Sequence, residues 1–260
     1  YAMFATILSL QPRASGGTGA SREEVIERKC VEISERIPGL FDVAAVMEAY
    51  PVSYSESMNT VITQECIRYN GLLGVMALSL RETVKALKGL VVMSGELEQV
   101  ANAIFDNQVP AAWEKVAYPS LKPLSSWIVD LLERLSFIQK WIDEGPPPVY
   151  WISGVFFPQA FLTGTLQNYA RKYSYAIDTV SFDFKVMDHV SVDEQKGPED
   201  GCYIRGLFVE GARWNPDKHA LDESRPKELF TDMPVCWLVP TKDRVVPTSG
   251  IYDCPVYKTL

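Results

Sequence analysis

The most reactive side chains in this 260-residue chain belong to two histidines, His189 and His219, and five cysteines, Cys30, Cys66, Cys202, Cys236 and Cys254. A thiol beside an imidazole would give a nucleophile and its base, and Cys202 or Cys254 with His189 or His219 are the pairs open to it. No local cysteine-protease signature surrounds those thiols. Zinc would need four ligands at short spacings, yet there is no C-x-x-C and neither histidine stands at ligand spacing from a cysteine or from the other. Scattered thiols in odd number read instead as reduced, mostly buried side chains of a cytosolic protein.

The stretch ASGGTGAS, residues 14–21, invites a nucleotide reading. A phosphate loop needs Gly, four residues, then Gly-Lys-Ser/Thr, because backbone N–H groups and a lysine neutralise the phosphates together. With Gly19 and Ser21 in register, Ala20 takes the lysine position and Ala14 that of the first glycine. The dinucleotide pattern G-x-G-x-x-G fails as well, since Gly17 and Gly19 lead to Arg22. A flexible loop before a helix is what remains. The carboxylate pairs Glu23-Glu24, Asp193-Glu194 and Glu199-Asp200 fall at a helix start or in loops, as solvated charge does. No G-x-S-x-G elbow or kinase signature is present. The chain reads as having no catalytic, cofactor-binding or metal-binding residues.

The elements that would position any site change character near residue 175. Before it, apolar residues recur at helical spacing. Ser21 is a helix N-cap with Glu23 and Glu24 in the first turn, and Pro38 ends that helix. Ser53 and Glu56 match a capping box ahead of a stripe from Met58 to Leu87 that includes Ile62, Tyr69, Leu73, Met76 and Leu80. A shorter helix follows in VVMSGELEQVANAIFDN, then a turn-rich connector, VPAAWEKVAYPSLKP. Another stripe runs from Leu124 through Trp127, Leu131, Leu135 and Ile138 to Ile142, and Gly145 with three prolines stops it. In SGVFFPQAFLTGTLQNYARKY, Pro158 suits the first turn of a helix and Arg171 and Lys172 suit its last.

After residue 175 the period becomes two. Val180, Phe182, Phe184 and Val186 alternate with polar residues, Asp200-Gly201 reads as a hairpin turn before CYIRGLFV, and PVCWLVP and IYDCPVYK are two further strands. The expected fold is therefore α+β: a helical, bundle-like region over residues 1–174, then an antiparallel sheet or incomplete β-barrel over 175–260. Phe156, Phe157, Pro158 and Phe161 stand at the junction of the two and are candidates for locking them together. The net charge of −8 argues against a nucleic-acid partner, and charges interrupt every apolar run before the roughly 18 residues of a membrane span. Tyr1 at the front and YKTL at the end suggest a piece of a longer protein, with no signal peptide in MFATILSL.

Four long phrases now stand together in order. They are VVMSGELEQVANAIFDNQVPAAWEKVAYPSLKPLSSWIVDLLERLSFIQKW, YWISGVFFPQAFLTGTLQNYARKYSYAIDTVSFDF, EDGCYIRGLFVEGARWN and YDCPVYKT. In these the chain resembles the C-terminal domain of dynein heavy chains from Leu8 onward. FFPQAFLTGTLQNYARK and LFVEGARW are more similar to the axonemal than to the cytoplasmic type. Val155 replaces a common third phenylalanine, and family members continue past YKT with further strand-forming sequence, which implies an incomplete sheet edge here. The resemblance implies a non-catalytic domain packed on the AAA+ ring of the same heavy chain, tuning an ATP-driven microtubule motor of the cilium or flagellum axoneme. ATP and Mg would be bound elsewhere in the heavy chain, and microtubules and other dynein subunits would be indirect partners. The resemblance carries over no catalytic residue. A stand-alone interaction scaffold and an enzyme with an unrecognised cleft are the alternative readings. Apolar positions beyond the main stripe of the long helix, Ile67, Val75 and Leu78, are the expected docking surface.

Overall fold

The structure, a computed structural model, describes residues 21–191, 193 and 196–245. Both the ASGG loop up to residue 20 and the strand expected in IYDCPVYK lie outside them. Helices α1 (Arg22–Arg36), α2 (Val43–Ala49), α3 (Met58–Leu87), α4 (Gly95–Phe105), α5 (Ala111–Glu114) and α6 (Leu124–Glu144) come first. A three-residue strand, β1 (Val149–Trp151), and helix α7 (Pro158–Lys172) follow. The rest is β: β2 (Val180–Val186), β3 (Cys202–Arg205), β4 (Phe208–Glu210), β5 (Ala212–Asn215), β6 (Ala220–Glu223), β7 (Phe230–Asp232) and β8 (Cys236–Lys242). The fold is α+β, and among the described residues no barrel closes.

The apolar stripe of α3 is the spine of the core. Met58, Val61, Ile62, Tyr69, Leu72, Leu73, Met76 and Leu80 are buried, and the helix spans about 45 Å at 1.5 Å per residue. Helices α1, α2, α4, α6 and α7 pack around it. The stripe of α6 contributes Leu124, Trp127, Ile128, Leu131, Leu135, Ile138 and Trp141 to the same core. The connector before α6 is more than turns: its short α5 buries Trp113, whose ring stacks on Trp127 at 6.0 Å between centroids.

Two local expectations differ from the structure. Ser21 and Glu24 do form a reciprocal capping box on α1, but Ser53 and Glu56 do not form one on α3. That helix begins after Ser57, whose own N–H and hydroxyl are held from α7. The Ser57 N–H donates to Asn168 Oδ1 at 2.7 Å, and the Ser57 hydroxyl donates to Gln167 Oε1 at 2.8 Å. Glu56 Oε1 accepts from the Met58 N–H and from Asn168 Nδ2. Tertiary partners have displaced the local cap. Second, Asp200-Gly201 is a turn but not a hairpin turn. Gly201 takes φ +75°, and a Cβ there would sit 1.9 Å from the Leu238 carbonyl oxygen. Yet β2 and β3 do not pair with each other, because β8 lies between them.

The main sheet runs β1-β3-β8-β2. β8 is antiparallel to both neighbours, with Val186 opposite Cys236 and Cys202 opposite Leu238. β1 is parallel to β3, so a strand from the segment between α6 and α7 completes the edge. β4 with β7, and β5 with β6, form separate two-stranded antiparallel ribbons.

Candidate functional site

The loop between α6 and α7 is where the helices meet the sheet. Pro158 opens α7 at a position where a missing N–H costs nothing, and Phe157 before it stays out of the helical region at φ −127° and ψ 80°. The N–H groups of Phe156 and Phe157 then point back toward α3. Both donate to the carboxylate of Glu65, at 3.1 Å for Phe157, and Glu65 is 0% exposed. Arg68, one turn along α3, reaches within 3.8 Å of the same carboxylate. Burial pushes the Glu65 carboxyl up from its ordinary range, and the two backbone donors, Arg68 and Arg134 only partly offset this. The Tyr69 hydroxyl donates to the Gly154 carbonyl at 3.0 Å. Three hydrogen bonds, two accepted by Glu65 and one donated by Tyr69, therefore tie the loop to α3.

The four expected junction residues occupy one stretch but serve different neighbours. The Phe156 ring is partly buried, edge-on to Tyr69 at 5.1 Å and to Tyr118 at 5.9 Å. Phe157 is 43% exposed, with the Arg68 guanidinium 4.9 Å from its ring centroid. Phe161 is 0% exposed and lies 4.8 Å from the ring of Tyr150 on β1, which in turn sits 5.1 Å from Trp141 on α6. Phe156 and Phe161 thus face the core, while Phe157 faces outward.

Further along α7 the contacts turn polar. Gly164 lies against the start of α3, where an added Cβ would come 2.8 Å from Met58 Cε and 3.3 Å from Val61 Cγ2. The Arg171 guanidinium donates to the Tyr54 carbonyl and to Ser57 Oγ. Lys172 Nζ and the Tyr173 hydroxyl donate to the Asp200 carboxylate at 2.6 and 2.8 Å, and the Asp200 carbonyl accepts from Trp237 Nε1 on β8. A cleft of about 490 Å³ opens here, lined among others by Tyr54, Glu56, Tyr150, Asn168, Arg171 and Asp200. Its charged groups are already engaged in holding α3, α7 and β3 together.

Nucleophilic chemistry finds little support in this geometry. Cys202 is buried 4.0 Å from Thr165 Oγ1, and burial pushes its thiol up to about 12, so it stays protonated near neutral pH. His189 and His219 instead flank Asp188 on the surface, at 3.7 and 3.6 Å. Cys254 lies outside the described residues. Among the described residues no group of three or more His, Cys, Asp or Glu side chains could hold a metal ion. No described helix is long and apolar enough to cross a membrane.

Comparison with known proteins gives this architecture its family. A family model for the C-terminal domain of the dynein heavy chain matches residues 1–260. The protein belongs to that family. Over its whole length it is 55% identical to dynein axonemal heavy chain 1 of Rattus norvegicus and 54% identical to that of Homo sapiens. It is 50% identical over 257 residues, 99% of its length, to dynein axonemal heavy chain 3 of Homo sapiens. It spans about 6% of the length of each of these relatives.

In this dynein C-terminal domain the residue that sequence reasoning passed over is Glu65. Its signal was visible, because Glu65 falls three residues after Ile62 and four before Tyr69, in step with the apolar stripe of α3. A carboxylate on a buried stripe requires a dedicated partner. The partners, Phe156 and Phe157, are 91 and 92 residues away. Gly164 gave a fainter signal, as a small residue between Phe161 and Thr165 on the buried face of α7.

Proposed function

We propose that this domain is a non-catalytic brace in an axonemal dynein heavy chain, packing on the AAA+ ring and tuning an ATP-driven microtubule motor. The observation that supports this best is continuity of the core. Cys202, Ile204 and Cys236 of the sheet belong to the same buried cluster as the spine of α3. A brace needs that continuity, since a load applied to one part must reach the other through packed side chains. In this reading ATP and Mg are bound elsewhere in the heavy chain, microtubules are reached only indirectly, and the domain resides in the axoneme of a cilium or flagellum. Differential contact of a few kcal/mol with one ring conformation would suffice to shift its population strongly.

The outer face of α3 suits such docking. Ile67 and Leu78 are each 53% exposed, and with Gly71 and Gly74 they recur at i, i+4, i+7 and i+11, on one side of the helix. Glycine within a helix costs about 1 kcal/mol relative to alanine. Nothing among the described residues lies within 4 Å of a Cβ at Gly71 or Gly74, so internal packing does not require either one. Val75, expected on this surface, packs against the core instead.

The test is a heavy chain with Ile67→Asp and Leu78→Asp, assayed for ATP turnover and microtubule gliding. Turnover should persist while gliding velocity changes. Unchanged velocity would remove α3 as the docking face, and ATP binding by the 260-residue chain alone, measured by isothermal titration, would count against a non-catalytic brace. The isolated domain should also bind an apolar dye and associate at high concentration.

A further inference from the structure

We infer that the groove along the outer side of α6 binds an acidic amphipathic helix of a partner polypeptide. Residues of α6 from Val129 to Lys140 form one wall; Arg36 at the end of α1, Trp151 on β1 and Arg205 on β3 form the other, around a volume of about 600 Å³. The inference does not depend on the bracing role, because the groove shares no residue with the outer stripe of α3.

The groove combines two surfaces. Its floor is apolar and aromatic: Val129 is half-exposed, and Phe137 meets Trp151 edge-on at 6.0 Å. Its rim is cationic, with Arg36, Lys140 and Arg205 against a single lining carboxylate, Glu133. Arg205 stacks over Trp151 at 5.3 Å rather than pairing with an acid. Among the described residues neither Arg205 nor Lys140 has a carboxylate within salt-bridge distance, and Arg36 meets only Glu32, on its own helix, at 3.8 Å. This excess of positive charge stands out on a protein with a net charge of −8.

Cations in excess of carboxylates around an apolar floor define the occupant by complementarity. The rim calls for carboxylates, and the floor calls for an apolar face beside them. From Val129 to Lys140 the wall is about 16 Å long, matching roughly three turns of a docked helix. A polyanion without apolar groups would satisfy the rim and leave the floor in water.

The decisive experiment titrates the 260-residue chain into a fluorescein-labelled peptide of about four helical turns, with leucine at i, i+3, i+4 and i+7 and glutamate elsewhere. Fluorescence anisotropy should report saturable binding that weakens with salt and falls about tenfold in Lys140→Glu or Arg36→Glu. Both side chains are exposed, so thermal melts should show these variants folded. The same peptide with lysine in place of glutamate should not bind. Absence of binding, binding unaffected by both reversals, or equally strong competition by heparin would overturn the proposal. So would sedimentation equilibrium showing a dimer lost in Lys140→Glu, which would make a second copy of this protein the occupant.

Discussion

The helical core and the two outer ribbons of this domain are stabilised by different physics. Helix α3 buries 12 of its 30 residues, and nearly all of those side chains are apolar. In strands β4 to β7 only Asn215 is buried, and it is 9% exposed. The core is held by apolar surface removed from water, a contribution spread over many neighbours. The ribbons rely on ladder hydrogen bonds, on the edge-on contact of Phe208 with Phe230 at 5.5 Å, and on polar ties around Asp222. Substitutions in the core should therefore unfold the whole domain, and those in the ribbons should act locally.

Phenylalanine truncation in the two regions probes that contrast most strongly. Phe161→Ala should cost about 4 kcal/mol in urea unfolding, because the ring is fully buried against Tyr150 of β1. Phe208→Ala removes an identical side chain that is 60% exposed and should cost less than about 1 kcal/mol. Similar losses at both positions would erase the distinction.

The Glu65 clasp comes next. Glu65→Ala would leave two backbone N–H groups without their acceptor and should cost about 3 kcal/mol. The pH dependence follows from the raised carboxyl. A folded-state pKa above the unfolded value means the native state holds the proton more tightly. Stability from this group is then greatest below the unfolded value of about 4.3 and declines as pH rises through the folded value. Melting curves of the natural protein and of Glu65→Gln, compared from about pH 4 to neutral, should shift in favour of the variant as pH rises. A shift in the opposite direction would mean that the backbone donors and arginines outweigh burial.

A smaller effect should separate the two adjacent phenylalanines. Phe156→Ala should cost about 2 kcal/mol more than Phe157→Ala, since only the Phe156 ring packs against Tyr69 and Tyr118. Equal melting temperatures for the two variants would place the locking in the backbone contacts to Glu65 rather than in either ring.

The same contrast explains what the sequence made legible. The stripes of α3 and α6 were readable because many apolar residues repeat one period, so their buried faces could be named almost residue by residue. Strand β2 was readable as a strand from its alternation, although Phe184, placed on the apolar face by that pattern, is 64% exposed, and β8 was readable from the apolar run PVCWLVP. CYIRGLFV, expected as one strand, is two, β3 and β4, in different sheets and broken at Gly206 with φ +87°. Strands β5 to β7 have three or four residues each and carry mixed polarity, which leaves no period to detect. β1 is hidden behind three prolines, and its parallel pairing with β3 is set across more than fifty residues of sequence. At the junction, Pro158 could be placed as a helix start from its own chemistry. The inward course of Phe156 and the outward one of Phe157 could not, because both are set by Glu65 and Arg68 on a distant helix. The Ser53–Glu56 motif failed likewise: Asn168 and Gln167 on α7 engage Ser57, and Glu56 accepts from the Met58 N–H and Asn168 instead.

The smallest predicted effect lies in the ribbon itself. Asp222 accepts from Asn215 Nδ2 at 2.9 Å, from Lys218 Nζ at 3.1 Å and from the Glu223 N–H. Hydrogen bonds from Asn215 and Lys218, with that backbone donor, hold its carboxyl down at about 2. The folded-state value lies below the unfolded one of about 3.9, so the stabilisation is present above that pH and lost as pH falls toward 2. Asp222→Asn should accordingly speed amide hydrogen exchange in β5 and β6 at neutral pH and make little difference near pH 2. The global unfolding midpoint should stay where it was. If that midpoint moved with the ribbon's exchange rates, the ribbons would belong to the same cooperative unit as the core, and the division between the two regions would fall.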